Sequence, residues 1–270
     1  MVAFLDILGF RSFVSGGYPE AVARIKAIDR ALEASLRYVR EQEQAGWVSI
    51  RTFSDCLCLS TEERYLPELI DSVSLLQWDL ATSGIFVRGG VSKGYHCETS
   101  RMIFSQGLVR AYELHSSDPY PRVMVAPEVA QEMASLSYSR PVCCVGVSVP
   151  LPDYLLRDAD GVCFVDYLSA LGLTELGDFD EHLVDHAGLI TQQLVAHRDD
   201  AHVLSKFLWL AAYHNFRFGE VFTPDEWEAD YFDELRERAT VPLNTLTPAE
   251  KEAVGRMQFS RMPLRNTSMT

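Results

Sequence analysis

Near its start the chain reads Val2-Ala3-Phe4-Leu5-Asp6-Ile7-Leu8-Gly9-Phe10, an apolar run interrupted by one carboxylate and closed by a glycine and an aromatic residue. Such a run reads as a buried strand that delivers an acid to its exit. A buried, unpaired carboxylate costs on the order of several kcal/mol or takes up a proton, so Asp6 needs a counter-charge, and the obvious one is a metal ion. The stretch Arg51-Thr52-Phe53-Ser54-Asp55-Cys56-Leu57-Cys58-Leu59-Ser60 repeats the pattern and sets Asp55 inside a second strand-like run. Whether Asp6 and Asp55 meet is the question the fold must answer.

With 270 residues, 47% of them hydrophobic, the chain can bury a full core and is large for one domain, so one domain with an appendage is expected. Its 38 acidic against 24 basic residues give a net charge of −14, which excludes a protein that coats nucleic acid by neutralising phosphates. A nucleotide substrate remains compatible, because a divalent metal can carry the triphosphate. The six cysteines form no CxxC pair and no ligand spacing with histidine, and read as reduced thiols in apolar runs. No leader precedes the first strand and no run reaches the roughly 18 apolar residues of a membrane span, so the expectation is a soluble cytosolic protein with no membrane partner.

Along the chain, Gly16-Gly17 and Pro19 punctuate the end of the first strand. Val22, Ile25, Ile28, Leu32, Leu36 and Val39 then recur at helical spacing, and Gly46 stops that helix. Trp47–Ile50 and Phe53–Leu59 read as strands, forming a hairpin or one bent strand around Ser54-Asp55. Leu66, Leu69, Ile70, Val73, Leu76 and Leu80 return to helical spacing, and Ile85–Gly94 is a strand with three glycines and the basic residues Arg88 and Lys93. A helix over Gln106–His115, a strand over Arg122–Ala126, a helix from Pro127 and strands near Val142–Val149 and Val162–Tyr167 complete an α+β pattern, a largely antiparallel sheet covered by helices. Beyond residue 177 the pattern becomes helical, through Leu183, Ala187, Ile190 and Leu194 and then Val203, Phe207, Leu210, Ala211 and His214. The division is therefore 1–176 as the main unit and 177–270 as a helical extension packed on it, with Trp227, Tyr231 and Phe232 as docking aromatics.

Two carboxylates at strand ends can hold one or two magnesium or manganese ions, and Gly9 would let backbone amides approach a triphosphate. The alternative is that each acid caps a helix or closes a turn. Arg51, Arg88, Lys93 and Arg110 could hold phosphates or a base carbonyl, or form surface ion pairs in an acidic protein. His182 and His186 stand at i, i+4 with no third ligand and read as core or surface residues. Glu98 and Glu113 stand alone and receive no role.

Together, Phe4-x-Asp6-Ile7-x-Gly9-Phe10, the segment Arg51–Asp55 and the strand Val87–Gly94 resemble the class III nucleotidyl cyclases, most closely the bacterial pyrimidine cyclases of the Pycsar antiphage system. The match covers roughly residues 1 to 170. The resemblance implies a class III cyclase-like fold and two divalent ions, Mn2+ or Mg2+, on Asp6, the main chain of Ile7 and Asp55. It places Phe4, Leu8, Gly9 and Phe10 around the substrate and Arg51 at the base-selecting position. The partner acid of adenine recognition would fall near Met102, and the transition-state asparagine and arginine near Val109 and Glu113. None of the three is present, leaving Arg88, Lys93 and Arg110 as candidate cations. An arginine fork at position 51 suits the carbonyls of a pyrimidine. The implied activity is cyclisation of UTP or CTP by a head-to-tail homodimer with its sites at the interface, the product acting on a separate cyclic-nucleotide-activated effector.

Overall fold

A computed structural model describes residues 1–10, 15, 17–99, 101–116, 118–136, 139–141, 148–150, 154–169, 179–221 and 229–262. Strand β1 (Val2–Ile7) lies inside an eight-stranded sheet of order β12-β10-β11-β7-β4-β1-β3-β2. Its neighbours are β3 (Cys56–Ser60), which forms a hairpin with β2 (Ser49–Phe53), and β4 (Val87–Ser92), all paired antiparallel. With helices α1 (Tyr18–Gln44) and α2 (Leu66–Thr82), the first half is a β1-α1-β2-β3-α2-β4 unit, the split βαβ arrangement. The β4–β7 pairing is the sheet's one parallel contact among the described strands, because β7 (Val123–Val125) follows a crossover through α3 (Gln106–Ser116). Helix α4 (Pro127–Ser135), β10 (Leu155–Arg157) and β11 (Cys163–Val165) continue the sheet. The expected α+β class, an antiparallel-rich sheet covered by helices, is the observed one.

Side-chain alternation along β1 sets the two faces. Ala3, Leu5 and Ile7 join Leu57, Leu59, Val87 and Val91 in a core under α1 and α2, where Ile28, Leu36, Val39, Leu69, Ile70, Val73 and Leu76 are buried. The N-terminal end of the α1 stripe lies off that core, and Ile25 is exposed. Val2, Phe4 and Asp6 point to the opposite face, covered in part by α3. Gly90 permits that cover: a Cβ there would stand 2.3 Å from the Ala111 carbonyl oxygen. In this strand the close approach expected of a glycine is thus made by a helix backbone.

The C-terminal helices α5 (Phe179–Ala196), α6 (Ala201–Val221), α7 (Ala229–Ala239) and α8 (Pro248–Arg256) form a second core with Leu156 and Phe164 of the sheet and Phe86, just before β4. After α8 the chain returns to the sheet edge as β12 (Ser260–Arg261), paired with β10. A buried guanidinium ties this half together: Arg122 bonds Asp118 at 2.5 Å, Asp158 at 2.7 Å and Asp160 at 2.6 Å, while Trp209 Nε1 of α6 donates to Asp158 at 2.6 Å. The β5 (His96–Glu98) and β6 (Ile103–Ser105) hairpin, α7, α8 and β12 are findings of the structure. The β8 (Ser139–Pro141) and β9 (Ser148–Pro150) hairpin overlaps the expected strand near Val142–Val149, most of which lies outside the described residues, as do Cys143, Cys144 and Trp227. The placement of the Tyr231 and Phe232 side chains is likewise undescribed. No described helix is long and apolar enough to cross a membrane.

Candidate active site

Asp6 and Asp55 meet. The register pairs Asp6 with Cys56 on β3 and with Arg88 on β4, so all three project from one face of adjacent strands. Asp55 sits in the tight β2–β3 turn, where Ser54 takes φ 57°, a left-handed conformation that a non-glycine residue enters at a cost of about 1 to 2 kcal/mol. The turn is fastened to the exit of β1: the Ile7 N–H donates to the Asp55 carbonyl at 3.0 Å. One ligand atom from each of Asp6, Asp55 and Cys56 lies within 4.8 Å of the others.

The donor set suits a hard cation. Two carboxylates and the neighbouring Ile7 carbonyl are oxygen donors of the kind magnesium and manganese take. Cys56 does not compete as a thiolate, because burial and then the charges of Asp55 and Asp6 push its pKa up to about 12. Its thiol instead donates weakly, at 4.0 Å to Asp6 and 3.8 Å to Asp55. Cys58 is likewise pushed up to about 12 by burial, and Cys97 is exposed, at variance with a core role for every thiol.

Asp6 has a counter-charge from the protein as well. Arg88 Nε donates to Asp6 Oδ2 at 2.9 Å, and its Nη1 reaches the Asp118 carbonyl at 3.5 Å. Asp118 is itself fixed by buried Arg122, so the Arg88 fork is aimed by a chain of bonded groups. Lys93 and Arg110 are not brought to this cluster. Lys93 lies five residues further along, about 16 Å at strand rise, and pairs with Glu63 and with Glu132 at 3.2 Å. Arg110 donates to the Lys93 carbonyl at 2.9 Å, closing the far end of the same strand.

The remaining expected residues divide by position. Phe4 is buried beneath α3, its ring 5.0 Å from His115 and 5.6 Å from Tyr112. Leu8 and Gly9 form the turn after β1, with Leu8 N–H donating to the Phe86 carbonyl at 2.8 Å and Gly9 at φ 78°. Phe10 packs on the first core. Met102 is exposed on the β5–β6 hairpin. Arg51 is held between Glu43, at 3.6 Å, and Glu98 of that hairpin. Glu98 therefore has a role the sequence reading did not give it: an acceptor set against the Arg51 donors, itself bonded by Ser49 Oγ at 3.2 Å.

Sequence reasoning also missed His115 and Lys206. His115 is buried beside Phe4, with no hydrogen-bond partner for either ring nitrogen among the described residues, and burial followed by the charge of Arg88 lowers its pKa. Lys206 of α6 faces the Leu8-Gly9 turn. Single residues on helices carry no spacing signal, so neither was visible without the fold.

No protein-family model and no curated protein matches the chain. Among solved structures the chain is similar to the adenylyl cyclase CyaB from P. aeruginosa, with 12% identity over 52% of this chain and 82% of that one and a TM-score of 0.36. It is also similar to a bacterial light-regulated adenylyl cyclase, with 13% identity over 68% of this chain and 96% of that one and a TM-score of 0.34.

Proposed function

We propose that this protein is a nucleotidyl cyclase that converts UTP or CTP to the 3′,5′-cyclic monophosphate and pyrophosphate. The observation that carries the reading is the convergence of Asp6 and Asp55 from two strands on one donor cluster beside the Gly9 turn. Asp6, Asp55 and the Ile7 carbonyl are the groups that would hold Mg2+ or Mn2+, and such ions supply charge neutralisation for an attacking hydroxyl and a leaving pyrophosphate. In the reaction the ribose O3′–Pα bond forms, the bond from Pα to the bridging oxygen of the β-phosphate breaks, and the 3′-hydroxyl proton passes to solvent. Arg88, aimed by Asp118, offers a fixed positive charge next to the carboxylates, and the Leu8-Gly9 turn offers a backbone that a phosphate can approach.

Base selection falls to Arg51 and Glu98. Together they present donors beside an acceptor, which matches the N3–H and O4 edge of uracil and the N4 amine and N3 edge of cytosine. A second copy of the chain is the fitting partner for the site's outer rim. Tyr95, Met102, Phe104, Val109 and Tyr112, on and just before the hairpin and on α3, are each more than half exposed, a concentration of apolar surface that supports this reading. Within this reading, residues 1–176 are the catalytic domain, 177–270 support it, and the cyclic product is a cytoplasmic second messenger of antiphage defence acting through an effector.

Incubation of the purified protein with manganese and each of the four triphosphates tests the proposal: a cyclic product from UTP or CTP is expected, and product from ATP or GTP alone would overturn the base assignment. One observation favours a second reading, a cyclase-fold protein that binds nucleotide without turnover. Val109 and Glu113 stand exposed on α3 where an asparagine and an arginine were expected. That reading holds if the wild type and Asp6→Ala both bind nucleotide and neither forms product.

A further inference from the structure

Between the exit of β1 and the C-terminal helices lies a cleft of about 350 Å³. Its floor is the Leu8-Gly9 turn with Gly84 and Phe86, and its wall comes from His197, Asp200, Lys206 and Phe207. The wall is firmly seated. Phe207 meets Phe86 at 5.7 Å edge to face and stacks on His197 at 5.7 Å, while Trp209, three positions after Lys206, is bonded to Asp158. Phe86 in turn accepts the Leu8 N–H, so the helix bearing Lys206 is registered against the turn itself.

The charges in this cleft are out of balance on its inner side. Lys206 is half-buried and makes no ion pair or hydrogen bond with any described residue. Asp200, the acid in the wall, has one carboxylate oxygen committed to capping α6, accepting from His202 N–H and Val203 N–H at 3.1 Å each. Asp6 is engaged by Arg88. Burial, and after it the charge of Arg88, lowers the pKa of Lys206 against the smaller opposing pull of Asp200 and Asp6, neither of which pairs with it directly.

We propose that this cleft binds the phosphate chain of the nucleotide and of the pyrophosphate product, with Lys206 donating to the terminal phosphates over the Leu8-Gly9 backbone. This rests on the nucleotide reading of the Asp6–Asp55 cluster and goes beyond it in giving the C-terminal helices a direct part in the site. Lys206 supplies the cation that Lys93 and Arg110 do not. A lysine is suited to this place as a compact charge on a flexible stem that can follow a phosphate as it leaves.

The test uses the full chain. Binding of inorganic pyrophosphate in the presence of manganese is measured by calorimetry for the wild type, Lys206→Gln, Lys206→Arg and Lys26→Gln, the last altering an exposed lysine on α1 as a control for net charge. Lys206→Gln is expected to weaken pyrophosphate binding by about tenfold to a hundredfold, the loss of one charge-assisted bond, with an unchanged melting temperature. Lys206→Arg should restore most of it, and Lys26→Gln should match the wild type. Equal pyrophosphate affinity in Lys206→Gln and the wild type overturns the inference, as does an equal loss in Lys26→Gln. If the wild type forms a cyclic product and Lys206→Gln keeps its KM, the inference fails and the cyclase reading stands. If pyrophosphate binding depends on Lys206 while no triphosphate is cyclised, the cleft stands and the cyclase reading fails.

Discussion

Asp6 is held by a guanidinium, and that pairing fixes what its replacement does. Asp6→Asn keeps the shape but leaves Arg88 facing a neutral amide, with Lys206 as a neighbouring cation. The pair is partly exposed, so the stability loss should be about 1 to 2 kcal/mol, between the values for surface and buried pairs. Asp55→Asn breaks no ion pair among the described residues and should change stability by less than about 0.5 kcal/mol. If the proposed cyclase reading holds, both should lower cyclisation at least about a hundredfold, since each removes one charged donor from the cluster. Product formation and urea unfolding measured together separate the cases: equal activity loss with unequal stability loss is expected. Asp55→Asn with wild-type activity would remove Asp55 from the site. A residue-scale test also addresses Arg51. On the proposed pyrimidine-cyclase reading, because its fork is shared with Glu98, Glu98→Gln should change the ratio of UTP to CTP turnover about tenfold or more, an outcome that a purely structural ion pair would not produce.

At the scale of elements, α3 lies close against β4, and Gly90 faces its backbone at Ala111. In Gly90→Ala the added carbon would stand 2.3 Å from the Ala111 oxygen and 3.1 Å from Leu114 Cβ. Helix α3 must lift, at a cost of about 1 to 3 kcal/mol for overpacking, and it carries Tyr112 and His115 away from Phe4. Thermal unfolding should show a melting point lower by several degrees, and a wild-type value would mean the helix yields freely. The same element shows what sequence could and could not disclose. The helix over Gln106–His115 was legible from its periodicity, and the glycines of β4 from their number; which backbone those glycines admit was not, because that depends on where a crossover returns. The β1 strand was legible since one apolar run with one acid has few ways to fold; β2 and β3 were legible as strands but left open as a hairpin or one bent strand, and the turn at Ser54-Asp55 cuts the run Phe53–Leu59 that reads as a single strand. The β5–β6 hairpin was not: its strands have three residues each, too few for alternation to register, yet it supplies Glu98. Short α7 and α8 lay hidden in a polar stretch, where capping by Thr247 and Glu250, not an apolar stripe, starts the last helix.

At the scale of the whole molecule, the sheet and the C-terminal helices share a buried chain of rings whose protons are dictated by its ends. Ala239 offers only a carbonyl, so His214 Nε2 must donate to it, at 2.6 Å. His214 Nδ1 is then an acceptor, and His186 Nδ1 donates to it at 2.9 Å. His186 Nε2 accepts in turn from the Tyr167 hydroxyl at 3.0 Å. Burial keeps both imidazoles neutral, and with neutral rings these donor and acceptor roles satisfy every link; the carboxylates of Asp6 and Asp55 play no part in it. The i, i+4 spacing of His182 and His186 thus belongs to packing: His182 meets Trp78 edge to face at 6.1 Å, and His186 lies in the second core. Burial holds His186 well below the usual histidine value, with the His214 ring adding to it, and burial lowers His214 from 6.5 to about 4. A group whose folded pKa lies below its unfolded one favours the native state above the unfolded pKa. That advantage is lost as pH falls from about 6.5 towards 4, where the unfolded chain takes up protons the native core refuses. Each histidine contributes a slope of up to about 1.4 kcal/mol per pH unit in that window. His214→Gln should be less stable at pH 7 by about 1 to 3 kcal/mol, from the broken ring-to-ring bond, but with a shallower fall below pH 6.5. Urea unfolding at several values between pH 4 and pH 7.5 distinguishes the two effects. Parallel stability curves for the variant and the wild type would show that the acid sensitivity arises elsewhere, whereas converging curves are what the neutral chain from Tyr167 to Ala239 requires.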